Sequence, residues 1–410
     1  MCQPKGHSYR RLLFITWDGG NTNYLESLFL PILHGLCEKE NIQCMVLQFS
    51  WASADKVNEL QQMVEYHGMI YEHIPIKRNL HPILGTVLAM GKGRKKVMQL
   101  VKSKKIDLIM ARSTMPGMLL NILWPSLKKN RVEVIFDADG LPLEERLDFT
   151  SLVKTDYQYR FLKSQERKIL LRSHVVLART QKAIDHYVDS LGEQYRKKFC
   201  LVSNGRKESD FSYSEKDRVS IRLSLGLKKK DKLWVYVGSL GPQYALEEML
   251  VLYEAYQKKN SQCRFLILTN HLDYINKRLS KSISDKIIVY KTDFKSIPAY
   301  LSAADLAFSL RLPTYSMRGV APIKLGEYLM MGLPVIASKG IGDTEELLKE
   351  KSFVHLYDHE DPNRVTQAMK WIEDMSVIDR NEIKKFALAH FTLEKSIFDY
   401  ESAFSRFSKG

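Results

Sequence analysis

Hydrophobic positions along the chain follow two alternating rhythms. Short runs rich in β-branched and aromatic residues read as strands: RLLFITW (11–17), IQCMVLQFS (42–50), MIYEHIPI (69–76), IDLIMARS (106–113), VEVIFDAD (132–139) and HVVLART (174–180). Between them lie stretches with helical spacing, such as YLESLFLPILHGLCEKE (24–40) and ADKVNELQQMVEYHG (54–68). Strands alternating with helices predict βαβ units and a parallel sheet. The rhythm restarts after residue 205 with KLWVYVGS (232–239), RFLILTN (264–270), KIIVYKTD (286–293), LAFSLRL (306–312), PVIASK (334–339) and FVHLY (353–357). The polar, turn-rich stretch NGRKESDFSYSEKD (204–217) between the two sets reads as a linker. FTLEKSIFDYESAFSRFSK (391–409) reads as a terminal helix that keeps Ile397, Tyr400, Phe404 and Phe407 on one face.

The expected architecture is α/β, with two domains at 1–203 and 204–390 and the segment 391–410 packing back on the first. A chain of 410 residues, 45% hydrophobic and 27% charged, is ample for two cores. In open parallel sheets ligands bind beyond the carboxyl ends of the strands, so two such sheets facing each other make a cleft with one ligand from each side. The loops after the strands must then carry the chemistry.

Net charge is +15, from 62 basic against 47 acidic residues, which points to an anionic partner: nucleic acid, anionic lipid or phosphorylated substrate. The surplus sits in blocks, GKGRKK (91–96), KSKK (102–105), SLKKNR (126–131) and YRKK (195–198). The first two share a helical stretch with Leu84, Val87, Leu88 and Met90, as membrane-surface segments do, although solubility alone also explains basic blocks. Aromatic residues are not interleaved with them, which argues against a nucleic-acid stacking platform. Cys2, Cys37, Cys44, Cys200 and Cys263 form no metal-ligand spacing and read as small buried residues in a reducing compartment. LLFITW is shorter than a signal-peptide core, and no run approaches the ~18–20 apolar residues of a membrane span. The expectation is a cytoplasmic protein, at most peripheral to the inner face of the cell membrane.

Within APIKLGEYLMMGLPVIAS (321–338), Pro322 suits a helix start, and at 100° per residue Lys324 and Glu327 share one stripe opposite Leu325 and Leu329. The free N–H groups at Gly319, Val320 and Ala321 and the helix dipole would favour a phosphate, with Lys324 one turn away. Glu327 would accept hydrogen bonds from sugar hydroxyls. The alternative is an exposed i,i+3 pair worth about 0.2–0.5 kcal/mol.

This segment resembles the nucleotide-sugar signature of GT-B glycosyltransferases, specifically the retaining family 4-like group (glycosyl transferases group 1). YVGSLGPQYALEEM (236–249) resembles the Gly-rich turn that opens the donor domain, and LVSNGRKESDF (201–211) the "PNGVD…F" stretch. IPAYLSAADLAFSL (297–310) resembles the "YLxxADV" element. DLIMARSTMPG (107–117) and IFDADGLPLEERLDF (135–149) resemble acceptor-side elements. The resemblance implies two Rossmann-like domains with parallel sheets facing across a cleft, and no metal or other cofactor. A nucleotide-diphosphate sugar is the implied co-substrate. Glu327 then matches the glutamate that bonds donor hydroxyls, and Lys324 a lysine near the diphosphate. Gly238, Ser239, Leu240 and Gly241 match the loop that approaches the donor phosphates. The first glutamate of the family's E-x7-E pattern falls on Gly319, and the usual diphosphate-clamping Arg and Lys fall near Ser239 and Gln243. Arg311, Arg318 and Lys324 are left to neutralise the diphosphate. Asp139 stands where relatives carry a basic residue facing the reacting sugar.

The implied reaction is hexosyl transfer to a saccharide acceptor, lipid-linked and destined for cell-surface polysaccharide. Charge builds on the β-phosphate oxygen of the leaving nucleotide, where preorganised donors act. Retention needs no protein nucleophile if that phosphate guides the acceptor. Asp137, Asp139, Glu144 or Glu145 orients the acceptor hydroxyl or takes its proton. The alternatives for them are a turn after a strand and a solvated helix start. The loop WDGGNTN (17–23) is not GxGxxG. Its Gly19, Gly20, Asn21 and Asn23, with Arg112, fall to the acceptor side, unless the loop is a plain turn. Two rivals stay open: a hydrolysing 2-epimerase type of enzyme, and a non-catalytic nucleotide-sugar-binding subunit.

Overall fold

The computed structural model describes residues 10–20, 22–39, 42–78, 82–279, 284–375 and 379–407. The chain divides into two units, one of residues 1–202 with 396–410, the other of residues 203–395.

The first unit is built on a sheet of β1 (Arg10–Asp18), β2 (Ile42–Ser50), β3 (Ile70–Pro75), β4 (Leu108–Arg112), β5 (Glu133–Asp137), β6 (Val175–Ala178) and β7 (Phe199–Leu201). Its order is β3-β2-β1-β4-β5-β6-β7, every pair parallel. All five residues of β4 are buried, as befits a strand covered on both faces. Leu13, Ile15, Leu47, Ile109 and Phe136 pack under Val97 and Leu100 of the helix Pro82–Ser103 and Leu119 and Leu123 of the helix Thr114–Lys129. In the helix Leu393–Phe404, Ile397, Tyr400 and Phe404 are buried, and a Cβ on Gly35 would come within 2.2 Å of Ile397 Cδ1.

The second unit repeats the plan with β8 (Lys232–Val237), β9 (Cys263–Leu268), β10 (Ile287–Tyr290), β11 (Leu306–Ser309), β12 (Val335–Ser338) and β13 (Val354–Tyr357), all parallel in the order β10-β9-β8-β11-β12-β13. The period of two along β8 serves two cores. Trp234 and Tyr236 join Met249 and Tyr253 of the helix Leu246–Lys259, while Leu233, Val235 and Val237 join Leu325, Tyr328 and Leu329 of the helix Ile323–Met330. Strand order reverses direction between β1 and β4 and between β8 and β11, the places where ligands of open sheets bind.

Four local expectations change. β7 has only three residues, too few to show a period, and its basic flank hid it. Several runs stop short at the carboxyl end: Arg112 closes β4 and Ser309 closes β11, so Ser113 and the LRL of 310–312 are loop. The stretch 204–217 is not a free linker. Phe211 is fully buried in the second unit's core, and Arg206 pairs with the segment around Thr392. In the terminal segment the helix ends at Phe404 and one 3₁₀ turn, Ser405–Phe407, follows; 408 and 409 lie outside the described residues.

Candidate functional site

In the second unit the helix Ile323–Met330 starts after Pro322, whose backbone is extended. Leu325 and Leu329 are buried on one side, as their spacing requires. On the other side Lys324 Nζ donates to Glu327 Oε2 at 2.6 Å. Glu327 is not solvated. It has no exposed surface, and its Oε1 accepts from Arg206 Nε at 2.9 Å. The two cations flank the carboxylate above one aromatic ring, with the Arg206 guanidinium 5.2 Å and the Lys324 ammonium 5.7 Å from the centre of Phe294. A buried carboxylate is tolerable only when paired in this way. Lys324 keeps about a third of its side chain exposed, 31%, and has donors left after Glu327 is served.

Arg206 reaches Glu327 because two segments meet closely. Arg206 N–H donates to Phe391 O at 2.9 Å, and Leu393 N–H donates to Arg206 O at 2.8 Å. A Cβ on Gly205 would lie 1.8 Å from Thr392 O, so only glycine permits the approach. Tyr328, beside Glu327, ties the same helix to β8: its hydroxyl accepts from Val237 N–H at 2.8 Å and donates to Val237 O at 3.3 Å.

Gly238 opens the loop after β8 at φ 154°, and its N–H donates to Leu268 O. Ser239 is exposed while Leu240 is buried, its N–H donating to His271 Nδ1 at 3.1 Å. Gly241 has extended backbone. After β11, Arg311 N–H donates to Ser338 Oγ at 2.9 Å, and its guanidinium lies 4.6 Å from the ring centre of Tyr244. Ser338 Oγ also meets His359 Nε2 at 2.8 Å, and burial pushes that imidazole below its usual range. Loops after β8, β11, β12 and β13 are thus linked at one end of the sheet. Arg318 is exposed against Tyr315, and Gly319 is buried in a 3₁₀ turn. Val320 N–H closes that turn on Met317 O at 3.1 Å, so this amide already has an acceptor; Ala321 is half-buried.

The first unit gathers a second polar constellation at its strand ends. Register sets Asp18 at the end of β1 and places Arg112 of β4 beside Asp137 of β5. Asp18 accepts from Thr16 Oγ1, from Gln48 Nε2 at 2.8 Å and from Arg112 Nη1 at 3.3 Å. Arg112 Nη2 contacts Asp139 Oδ2 at 2.7 Å. Asp137 is fully buried. Its Oδ1 accepts from Asp139 N–H at 3.2 Å and its Oδ2 from Arg179 Nη2 at 2.6 Å. Arg179 Nη2 also reaches Tyr400 Oη at 3.0 Å. Ser113 (φ 68°) and Asp139 (φ 55°) hold left-handed backbone in adjacent loops, a conformation that costs non-glycine residues about 1–3 kcal/mol. Burial pushes the Asp139 carboxyl above its usual range, against the pull of Arg112.

Glu144 is not a solvated helix-start acid. It is buried, and its Oε1 accepts from Lys163 Nζ at 2.6 Å, which also donates to Glu166. Glu145 is half-buried beside it. In the WDGGNTN loop, Gly19 and Gly20 lie against Trp51, whose ring carries the Arg78 guanidinium 3.7 Å from its centre. Asn23 is exposed, and Asn21 lies outside the described residues. Sequence reasoning missed Arg206, Tyr328, Ser338, His359, Gln48, Arg179 and Tyr400. For Arg179 and Gln48 a signal existed: a polar side chain adjoining or inside a fully buried strand. Among the described residues no group of three or more His, Cys, Asp and Glu side chains is placed to hold a metal ion, and no helix is long and apolar enough to cross a membrane.

Residues 217–389 match the family described as glycosyl transferases group 1. They are a group 1 glycosyl transferase domain. No curated protein sequence matches the chain. Among solved structures, Anabaena HepE (Alr3699) in complex with UDP and glucose superposes with a TM-score of 0.72 at 15% identity, covering 97% of this chain and 100% of that one. Sucrose-phosphate synthase from Thermosynechococcus elongatus gives 0.69 at 13% identity over 97% and 99%. The catalytic domain of starch synthase IV from Arabidopsis thaliana, bound to ADP and acarbose, gives 0.66 at 12% over 97% and 99%. These likenesses show the fold, which is GT-B with two Rossmann-like units, and the family match lies within the second unit. The glycosyl transferase domain contains the whole signature helix, with Lys324, Glu327 and Tyr328.

Proposed function

We propose that this glycosyltransferase moves a hexose from a nucleotide-diphosphate sugar to a saccharide acceptor, with retention of configuration and without a metal. The donor binds the second unit and the acceptor the first. The observation that carries this reading is the doubly paired Glu327 on the signature helix, beside a half-exposed Lys324 at the carboxyl end of the sheet. HepE, with the same fold, has been crystallised with UDP and with UDP-glucose, which supports a nucleotide-sugar donor here. Glu327 has no exposed surface and both its oxygens are taken by Arg206 and Lys324, so it does not meet donor hydroxyls directly as the sequence suggested; it acts by holding the partly exposed Lys324 ammonium in one orientation towards the donor. Lys324, Arg311 and Arg318 supply the positive charge that the departing diphosphate needs. Retention follows if the leaving phosphate guides the acceptor oxygen to the face it vacates. Asp139, its carboxyl pushed up by burial and held by Arg112 at 2.7 Å, takes the acceptor proton. The basic surface suits a lipid-linked acceptor at the inner face of the membrane, in cell-surface polysaccharide synthesis.

The test is release of nucleoside diphosphate from a panel of nucleotide sugars, with and without lipid-linked saccharide. Acceptor-dependent release that Glu327→Ala and Lys324→Ala lower by orders of magnitude is the expected result. Acceptor-independent release with an altered sugar would identify an epimerase. Binding with no release in any combination would identify a non-catalytic subunit.

A further inference from the structure

We propose that the amino-terminal half of the helix Pro82–Ser103 is a docking face for an anionic lipid bilayer, set so that a lipid-borne acceptor arrives at the WDGGNTN loop. The helix has two unlike sides. Ala89, Gly93, Val97 and Leu100 face the sheet, and a Cβ on Gly93 would come within 2.5 Å of Phe49. Met90, which the sequence grouped with the basic face, is buried with them. The outer side reads differently along its length. Ile83, Leu84, Val87 and Leu88 are 68%, 50%, 59% and 46% exposed, four aliphatic side chains in two successive turns. The same stripe then turns cationic at Arg94 and Lys95, both exposed. At a rise of 1.5 Å per residue the two patches are centred about 13 Å apart. An apolar end followed by a cationic band matches the order in which a bilayer presents acyl chains and headgroup phosphates.

The occupant follows from charge. A second copy of this chain would bring another +15 surface against Arg94 and Lys95, whereas an anionic bilayer offers both the apolar depth and the opposite sign.

Contacts connect this face to the loop. Lys77 O abuts the helix at Gly85, where a Cβ would lie 2.2 Å away. The next residue, Arg78, stacks on Trp51, and Trp51 lies against Gly19 and Gly20. Trp51 is 38% exposed, an amphipathic ring of the kind that settles at a membrane boundary. A lipid whose tail stays in the bilayer beneath Ile83–Leu88 presents its head beside this loop. Only that last step rests on the proposed acceptor-side role of the loop.

The experiment is sedimentation of the full chain, with no sugar present, with vesicles of equal parts phosphatidylglycerol and phosphatidylcholine and with vesicles of phosphatidylcholine alone. The wild type should pellet with the anionic vesicles and stay largely in solution with the neutral ones. Leu84→Glu/Val87→Glu should lower partitioning at least about tenfold, and Arg94→Ala/Lys95→Ala about thirtyfold. Both variants should keep the wild-type unfolding temperature, because the replaced side chains are exposed. No binding to either vesicle overturns the proposal, and so does binding that the two variants leave unchanged. A wild-type dimer in solution that Leu84→Glu/Val87→Glu dissolves overturns it in favour of a second copy. Vesicle binding in a protein that transfers no sugar leaves the docking face standing and sinks the transfer reading; transfer without vesicle binding does the reverse.

Discussion

Replacing Arg206 by Met tests the central geometry of the second unit. The substitution keeps an unbranched aliphatic side chain and deletes the guanidinium, which lies 5.2 Å from the ring centre of Phe294. Glu327 is then left without exposed surface and with one partner, Lys324, which is itself 31% exposed. Breaking a buried ion pair by removing one partner costs about 3–5 kcal/mol. The surviving Lys324 places this case at the lower end, about 3 kcal/mol. For a unit of this size that lowers the unfolding midpoint by about 6–12 °C. Scanning calorimetry, with hydrogen exchange of peptides from residues 203–395 to assign the transition, provides the readout. A double-mutant cycle with Glu327→Gln should return a coupling of at least about 1.5 kcal/mol, since the neutral amide no longer needs the cation. A midpoint shift below about 2 °C together with an additive cycle would refute the reasoning, because no buried pair behaves that way.

Further outcomes are fixed by other contacts. Burial pushes the Glu166 carboxyl up to about 7, so the folded unit binds this proton more tightly than the unfolded chain does. Its stabilising share is complete below the ordinary carboxylate value and is lost as pH rises through about 7. The stability of Glu166→Gln relative to wild type should therefore rise between pH 4.5 and 7, by about 3 kcal/mol in total, in urea titrations at several pH values. Gly205→Ala, whose new Cβ would meet Thr392 O at 1.8 Å, should destabilise by more than about 2 kcal/mol in the same titrations. Tyr400→Phe removes the hydroxyl at 3.0 Å from Arg179 and should cost about 1–2 kcal/mol in the first unit's transition. Lys324→Ala should weaken binding of the nucleoside diphosphate carried by the proposed donor roughly tenfold to hundredfold by isothermal titration calorimetry, with the fold unchanged by circular dichroism.

Much of this fold is written locally. Strands such as IQCMVLQFS and KLWVYV show their period or their unbroken apolar run within a few residues, and their alternation with helices leaves little choice of sheet type. The helical wheel likewise placed Lys324 and Glu327 together. It had no means of showing that the carboxylate is closed off by Arg206, which lies 121 residues earlier in a stretch whose polarity reads as linker. Asp137 has the same history. Its partner Arg179 comes 42 residues later and Tyr400 another 221 beyond that. Buried charges find partners through tertiary packing, and no periodicity records which cation belongs to which anion. The exposed side of the helix Pro82–Ser103 was half legible: Leu84, Val87 and Leu88 stood out, but only packing separates them from the buried Met90.

The bridge between Arg206 and Thr392 also bears on modularity. It joins the first few residues of the segment 203–395 to the last few, so entry and exit of that segment meet side by side. A segment with adjoining ends can be lifted out of a gene as a cassette and closed by a short splice. The second unit of this protein is thereby predisposed to exchange between scaffolds, carrying its own carboxylate clamp with it.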